Sequence, residues 1–75
     1  MTVNERIVID PKILHGKPVI RGTRVPVSRV VGGLASGMTF DEVQREYEIT
    51  IEDIRAALEF AGHLVEEESF HPLPQ

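Results

Sequence analysis

Two stretches of this chain, "MTFDEV" at 38–43 and "ITIEDI" at 49–54, spell the start of a helix in almost the same words, eleven residues apart. In the first, Thr39 stands as the N-cap, Glu42 sits where a capping box needs its acid, and Met38 can staple onto Val43. In the second, Thr50 caps, Asp53 substitutes for the usual Glu or Gln, and Ile49 can staple onto Ile54. Two starts this close leave room for a short helix, about Phe40 to Tyr47, and the connection Glu48-Ile49-Thr50 before a longer helix. That is helix-turn-helix spacing. Eleven residues is too short for a solenoid unit, so the echo is cap chemistry used twice and not a structural repeat.

The longer helix carries Ile51, Ile54, Leu58, Ala61 and Val65 as one apolar stripe, with Glu52, Arg55, Glu59, His63 and Glu66 facing outward. Another helix precedes the pair. Val27, Val30, Val31 and Leu34 recur at helical spacing, Pro26 suits its first turn, and Ser36-Gly37 stops it. Gly32 and Gly33 inside it each cost about 1 kcal/mol relative to alanine, which predicts a close neighbour against that backbone. Upstream, "RIVID" and "PVI" are short β-branched runs, and a two-residue Gly22-Thr23 loop of type II′ predicts a hairpin with Arg21 and Arg24 opposite one another. The expected architecture is mainly α: a homeodomain-like tri-helical unit containing a helix-turn-helix, with a small N-terminal β-hairpin. Residues 1–68 form one domain, with the hairpin over about 7–25 and the helices over about 26–66. Residues 69–75, holding two prolines, form an extended tail.

A domain of this size buries only about 60% of the surface its unfolded chain exposes, so it draws on help from elsewhere. The chain has no cysteine, which removes disulfides and thiolate metal sites and leaves a homodimer as the expected help. No apolar run reaches the roughly 20 residues of a membrane helix, and the opening "MTVNERIVID" lacks the layout of a secretion signal, so a soluble cytoplasmic protein without membrane contact is expected. Net charge is −4, which argues against a general nucleic-acid binder, yet the charge is divided along the chain. Residues 1–30 hold six basic residues against two acids, and residues 31–75 hold two against ten.

The series "DPKILHGKPVIRGTRVPVSRVV" followed by "GMTFDEVQREYEITIEDIRAAL" closely resembles the family numbered 433 among domains of unknown function, often described as VapB-like antitoxins. The resemblance runs from about Ile9 to Glu66, and "GKPVIRGTRVPV" is its most specific block. It implies a homeodomain-like fold, dimerisation, and pairing with a toxin resembling PIN-domain ribonucleases. An antitoxin of a type II toxin-antitoxin system is the expected function, with operator DNA as a further contact of the dimer. A stand-alone DNA-binding regulator is the alternative, and a structural adaptor is a third reading.

Within the basic half, Lys17, Arg21, Arg24 and Arg29 are the candidate contacts to nucleic acid or to an acidic partner. Like charges opposed across a hairpin repel, so an anion gives a reason for them that folding does not. Arginines solvated at a loop tip, or bridging to acids of a second subunit, remain open beside that reading. The first turn of the third helix, "IEDIR", brings acids where a DNA-reading helix brings bases or neutral groups, so cap chemistry explains it better than groove readout. Phe70, His71 and Leu73 on the proline-extended tail are the candidate toxin contacts, with folding back onto their own domain as the other reading. Catalysis has little support. His15, His63 and His71 are scattered, no histidine pair is spaced for a metal, and no cofactor loop is present, so neither an enzyme nor a cofactor is expected.

Overall fold

In the computed structural model the described residues are 2–67, with side chains from Asn4 onward. Strands β1 (Thr2–Asn4), β2 (Ile7–Val8) and β3 (Val19–Ile20) are followed by helices α1 (Val27–Ala35), α2 (Phe40–Tyr47) and α3 (Ile51–Glu67). The strands form one antiparallel sheet in the order β1-β2-β3, with Ile7 opposite Ile20 and Val8 opposite Val19. The N-terminal hairpin is β1–β2, whose Glu5-Arg6 turn is held where the Arg6 N–H donates to Asn4 Oδ1 at 3.0 Å. No helix among the described residues is long and apolar enough to cross a membrane.

The starts of α2 and α3 follow from their caps. Thr39 Oγ1 accepts the Glu42 N–H at 3.1 Å and Glu42 Oε1 accepts the Thr39 N–H at 2.9 Å, so two otherwise orphaned donors satisfy each other's residue. Thr50 and Asp53 make the same exchange at 3.1 and 3.0 Å, so the shorter acid completes the box. The α1 helix has no side-chain cap. Instead, the Val27 N–H donates to the Pro18 carbonyl at 2.9 Å, which ties the helix start to the strand before it. It ends in a Schellman motif: the Met38 N–H reaches Gly33 O at 3.0 Å and the Gly37 N–H reaches Leu34 O at 3.1 Å, with Gly37 at φ +106°.

The core is Ile7 and Ile20 from the sheet, Val27 and Val30 from α1, Val43 from α2, Ile49 from the turn, and Ile54, Ala57 and Phe60 from α3. The buried line on α3 therefore runs through Ile54, Ala57 and Phe60, whereas the expected stripe ran through Leu58 and Val65. Those two are 38% and 59% exposed. The β3 turn also differs from expectation. Thr23 N–H donates to Ile20 O at 3.0 Å, which puts Arg21 and Gly22 at the centre with Gly22 at φ +77°, the second central place that type II turns reserve for glycine. Thr23 Oγ1 decides this register, since it donates to Ile20 O at 2.8 Å and accepts the Val25 N–H at 3.0 Å.

The two α1 glycines have different reasons to be there. A Cβ on Gly33 would lie 3.1 Å from Met38 Sδ and 3.6 Å from the Tyr47 hydroxyl, whereas one on Gly32 would meet nothing within 4 Å. Gly32→Ala is therefore expected to stabilise the domain by about 1 kcal/mol, measured as a higher urea midpoint. Gly33→Ala should gain less, because Met38 has to give way.

Candidate functional site

Three of the four basic residues singled out in the sequence are brought to one place by three separate elements. Lys17 follows a tight 3-10 turn, Leu14–Gly16, in which Leu14, His15 and Gly16 take φ of 47°, 57° and 84° in succession. That left-handed coil is anchored upstream by Asp10, whose carboxylate accepts the Lys12 N–H at 2.8 Å and whose carbonyl accepts the Ile13 N–H at 2.9 Å. Arg24 projects from the loop that the Thr23 side chain fixes, and Arg29 lies in the first turn of α1. Together they line a cleft of about 310 Å³ with His15, Tyr47 and the Val25-Pro26 segment.

Among the described residues no carboxylate lines this cleft. Among the described residues the side chains of Lys17, Arg24 and Arg29 make no hydrogen bond or ion pair. The domain's basic side chains that do find acids are elsewhere: Arg6 meets Asp53 at 3.0 Å and Arg45 meets Asp41 at 2.8 Å. Three like charges held on one small concavity raise its potential, and an anion placed there relieves it.

Arg21 does not join them. With Arg21 at the centre of the turn, its N–H donates to Arg6 O at 2.8 Å and its Nε donates to the Glu5 carbonyl, so the side chain lies back over the β1–β2 turn. Phe70, His71 and Leu73 lie outside the described residues. His15 and Tyr47 are cleft residues that charge counting missed. The glycine after His15 marks a turn, but nothing in its spacing points toward Arg24, and Tyr47 reads as the last residue of an ordinary short helix.

Two acids stand in each of the first turns of α2 and α3. Glu42 is held below the usual carboxylate value, first by the Thr39 backbone N–H and then by the Thr39 hydroxyl. Asp53, in the first turn of α3, is also held low: burial is the largest single influence and pushes it up, but the Thr50 N–H, the Arg6 guanidinium and the Thr50 side chain together outweigh it. The N-terminus of the second helix-turn-helix helix is thus pinned to the sheet by an ion pair and bears Glu52 and Asp53. A second concavity, about 420 Å³, runs between α1 and α3 past Val27, Val31, Phe60, Ala61 and Leu64, with Lys17 at the border it shares with the cationic cleft. Among the described residues no three His, Asp or Glu side chains gather to hold a metal ion.

Residues 7–61 match the family described as "Protein of unknown function (DUF433)". A Mycobacterium tuberculosis protein bearing the name "Putative antitoxin VapB45" is 40% identical over 53 residues, which cover 71% of this chain and 22% of that protein. An Archaeoglobus fulgidus protein named "Uncharacterized protein" is 65% identical over 23 residues, 31% of this chain and 64% of its own. The crystal structure of a DUF433 member from Anabaena variabilis superposes with a TM-score of 0.76 at 32% identity, covering 83% of this chain and 62% of that one. Rv2018 of Mycobacterium tuberculosis superposes with a TM-score of 0.64 at 40% identity, covering 69% and 24%. The chain spans about a fifth of the first curated relative and under two thirds of the second.

Proposed function

The chain belongs to the DUF433 family, and from that membership we propose that it is the antitoxin of a type II toxin-antitoxin pair, binding and neutralising a PIN-like ribonuclease. It acts by stoichiometric contact and not by turnover. The observation that carries this reading is the cationic cleft: Lys17, Arg24 and Arg29 converge without a counter-ion among the described residues, in a chain whose net charge is −4. A nuclease whose active site gathers metal-binding carboxylates presents the complementary surface. The likeness to a protein named an antitoxin, over the same domain, supports the choice of partner. In this reading the segment with Phe70, His71 and Leu73 engages the toxin, and the exposed Leu58, Leu64 and Val65 supply apolar surface for a homodimer.

The experiment is co-expression with the product of the reading frame immediately downstream. A stable complex is expected to co-purify and to lose its ribonuclease activity. Deletion of residues 69–75 should release the toxin while leaving the thermal midpoint nearly unchanged. A downstream product that never co-purifies, or that lacks nuclease activity when expressed alone, would sink the proposal.

The same cleft favours a second reading, a DNA-binding regulator that uses its cations on phosphates. Helix α3 weighs against groove readout, because Glu52 and Asp53 would face a duplex carrying one negative charge about every 1.7 Å. Salt separates the two readings: operator binding falls steeply with ionic strength, whereas a toxin complex with apolar anchors falls less.

A further inference from the structure

We propose that the cleft between the Leu14–Gly16 turn, the Arg24 loop and the start of α1 is a binding site for a phosphate monoester. The site does not depend on the antitoxin reading, since it is complete in a single copy of the chain and is tested without any toxin.

Charge and donor count select the ligand. Two guanidinium groups offer five N–H donors each and the lysine ammonium three, which is far more than the roughly four acceptor positions of one carboxylate. One carboxylate or one phosphodiester carries a single negative charge and leaves two of the three cations uncompensated, so a protein partner would match the cleft only by presenting several carboxylates together, whereas a small ligand must carry the charge on one group. A phosphate monoester carries about −1.5 to −2 at neutral pH on three strong acceptor oxygens, the closest match among common biological anions. Arginine's planar fork suits phosphate oxygens in pairs, and lysine serves as a point charge beside them.

The walls fit an ester better than bare phosphate. Val25, Pro26 and the Tyr47 side chain give apolar surface beside the cations, and about 310 Å³ lies at the small end of ligand pockets, room for a phosphate and one sugar or ring. Pro26 is the N-cap of α1, so the positive end of a nine-residue helix borders the same space. The backbone that carries the cations is fixed: Lys17 follows the coil of Leu14–Gly16, and Arg24 stands one residue after the Thr23 side chain that holds the loop. What a ligand has to order is the exposed side chains of Lys17, Arg24 and Arg29.

The test is an NMR titration of the whole chain, following the backbone amides of Lys17, Val25 and Arg29, with inorganic phosphate, ribose 5-phosphate, dimethyl phosphate and acetate as probes. Ribose 5-phosphate should give saturable shifts and bind at least about tenfold more tightly than dimethyl phosphate or acetate. Arg24→Gln and Arg29→Gln should each weaken it about tenfold. Arg21→Gln, which removes the same charge from the same loop but from a side chain that lies over the β1–β2 turn, should change affinity less than about twofold. A short oligonucleotide with a 5′-phosphate, compared with its 5′-hydroxyl form, identifies the source. Preference for the phosphorylated strand over ribose 5-phosphate supports a strand end, and the reverse supports a free sugar phosphate. The proposal is overturned by equal binding of the two oligonucleotides, by equal binding of dimethyl phosphate, by an Arg21→Gln loss matching the other two, or by the absence of saturable shifts.

Discussion

Replacing Ile54 with alanine is expected to cost about 2–5 kcal/mol, the range for a fully buried isoleucine whose site relaxes only in part. Ile54 is completely buried in the cluster where α3 meets the β2–β3 strands, α1 and α2. A chain of 75 residues carries about 4–11 kcal/mol of stability in all, so the substitution removes a large share of it. The urea midpoint read by circular dichroism should collapse, with the wild-type slope retained if the small remaining population still unfolds in one step. Leu58→Ala and Val65→Ala are the controls. Both residues belong to the apolar stripe that helical periodicity picks out, yet they are 38% and 59% exposed, and each substitution should cost under about 1 kcal/mol. A Leu58→Ala loss as large as that at Ile54 and independent of protein concentration would mean that Leu58, and not Ala57 and Phe60, faces the core beside Ile54, whereas a loss that shrinks on dilution would report a contact between two copies.

That contrast shows which parts of the fold can be read from the residues and which cannot. Helix starts are legible because a capping box is closed within four residues: Thr39 with Glu42 and Thr50 with Asp53 need no other part of the chain to make their bonds. The end of α1 is legible for the same reason, since Gly37 permits the positive φ on which the Schellman bonds depend. The buried face of α3 is a tertiary property. Ile51, Ile54, Leu58 and Val65 share a near-heptad spacing, but α1 and the sheet arrive on the side of Ala57 and Phe60 and turn Leu58 and Val65 toward the rim. Strand β1 is equally hidden, because its connection to β2 is Glu5-Arg6, with neither glycine nor proline to mark it.

The cleft was half legible. Charge asymmetry isolates Lys17, Arg21, Arg24 and Arg29 as a group, and a glycine-bearing turn between two of them is evident. Membership was decided by one residue of turn register. A Gly22-Thr23 centre would have paired Arg21 with Arg24, whereas the observed Arg21-Gly22 centre sends Arg21 to the Glu5 carbonyl and leaves Arg24 facing Arg29 and Lys17 across the cleft. What selects that register is the Thr23 hydroxyl, a bond between side chain and backbone that period counting does not see. The same bond therefore divides the basic residues between the β1–β2 turn and the cleft.

Asp53→Ala should cost about 1–2 kcal/mol, because one carboxylate closes the α3 capping box and also holds Arg6. Most of that cost belongs to the cap, since Arg6 is about half exposed and an ion pair reaching water is worth little. A shift of roughly 4–8 °C in the midpoint per kcal/mol makes the loss easy to see in a domain this small. The pH dependence identifies the charge. Asp53 titrates below its ordinary 3.8 in the folded chain, since its hydrogen bonds and Arg6 outweigh its burial. A carboxyl depressed by folding contributes stability that is fully present above its unfolded value and fades as pH falls through the folded one. The gap between the wild type and Asp53→Asn should thus stay constant from pH 7 down to about 5 and narrow below about 4. A gap that is unchanged at pH 2 would assign the effect to shape and hydrogen bonding alone. In that case neither the charged bond from the Thr50 N–H nor the ion pair with Arg6 would be what holds the first turn of α3.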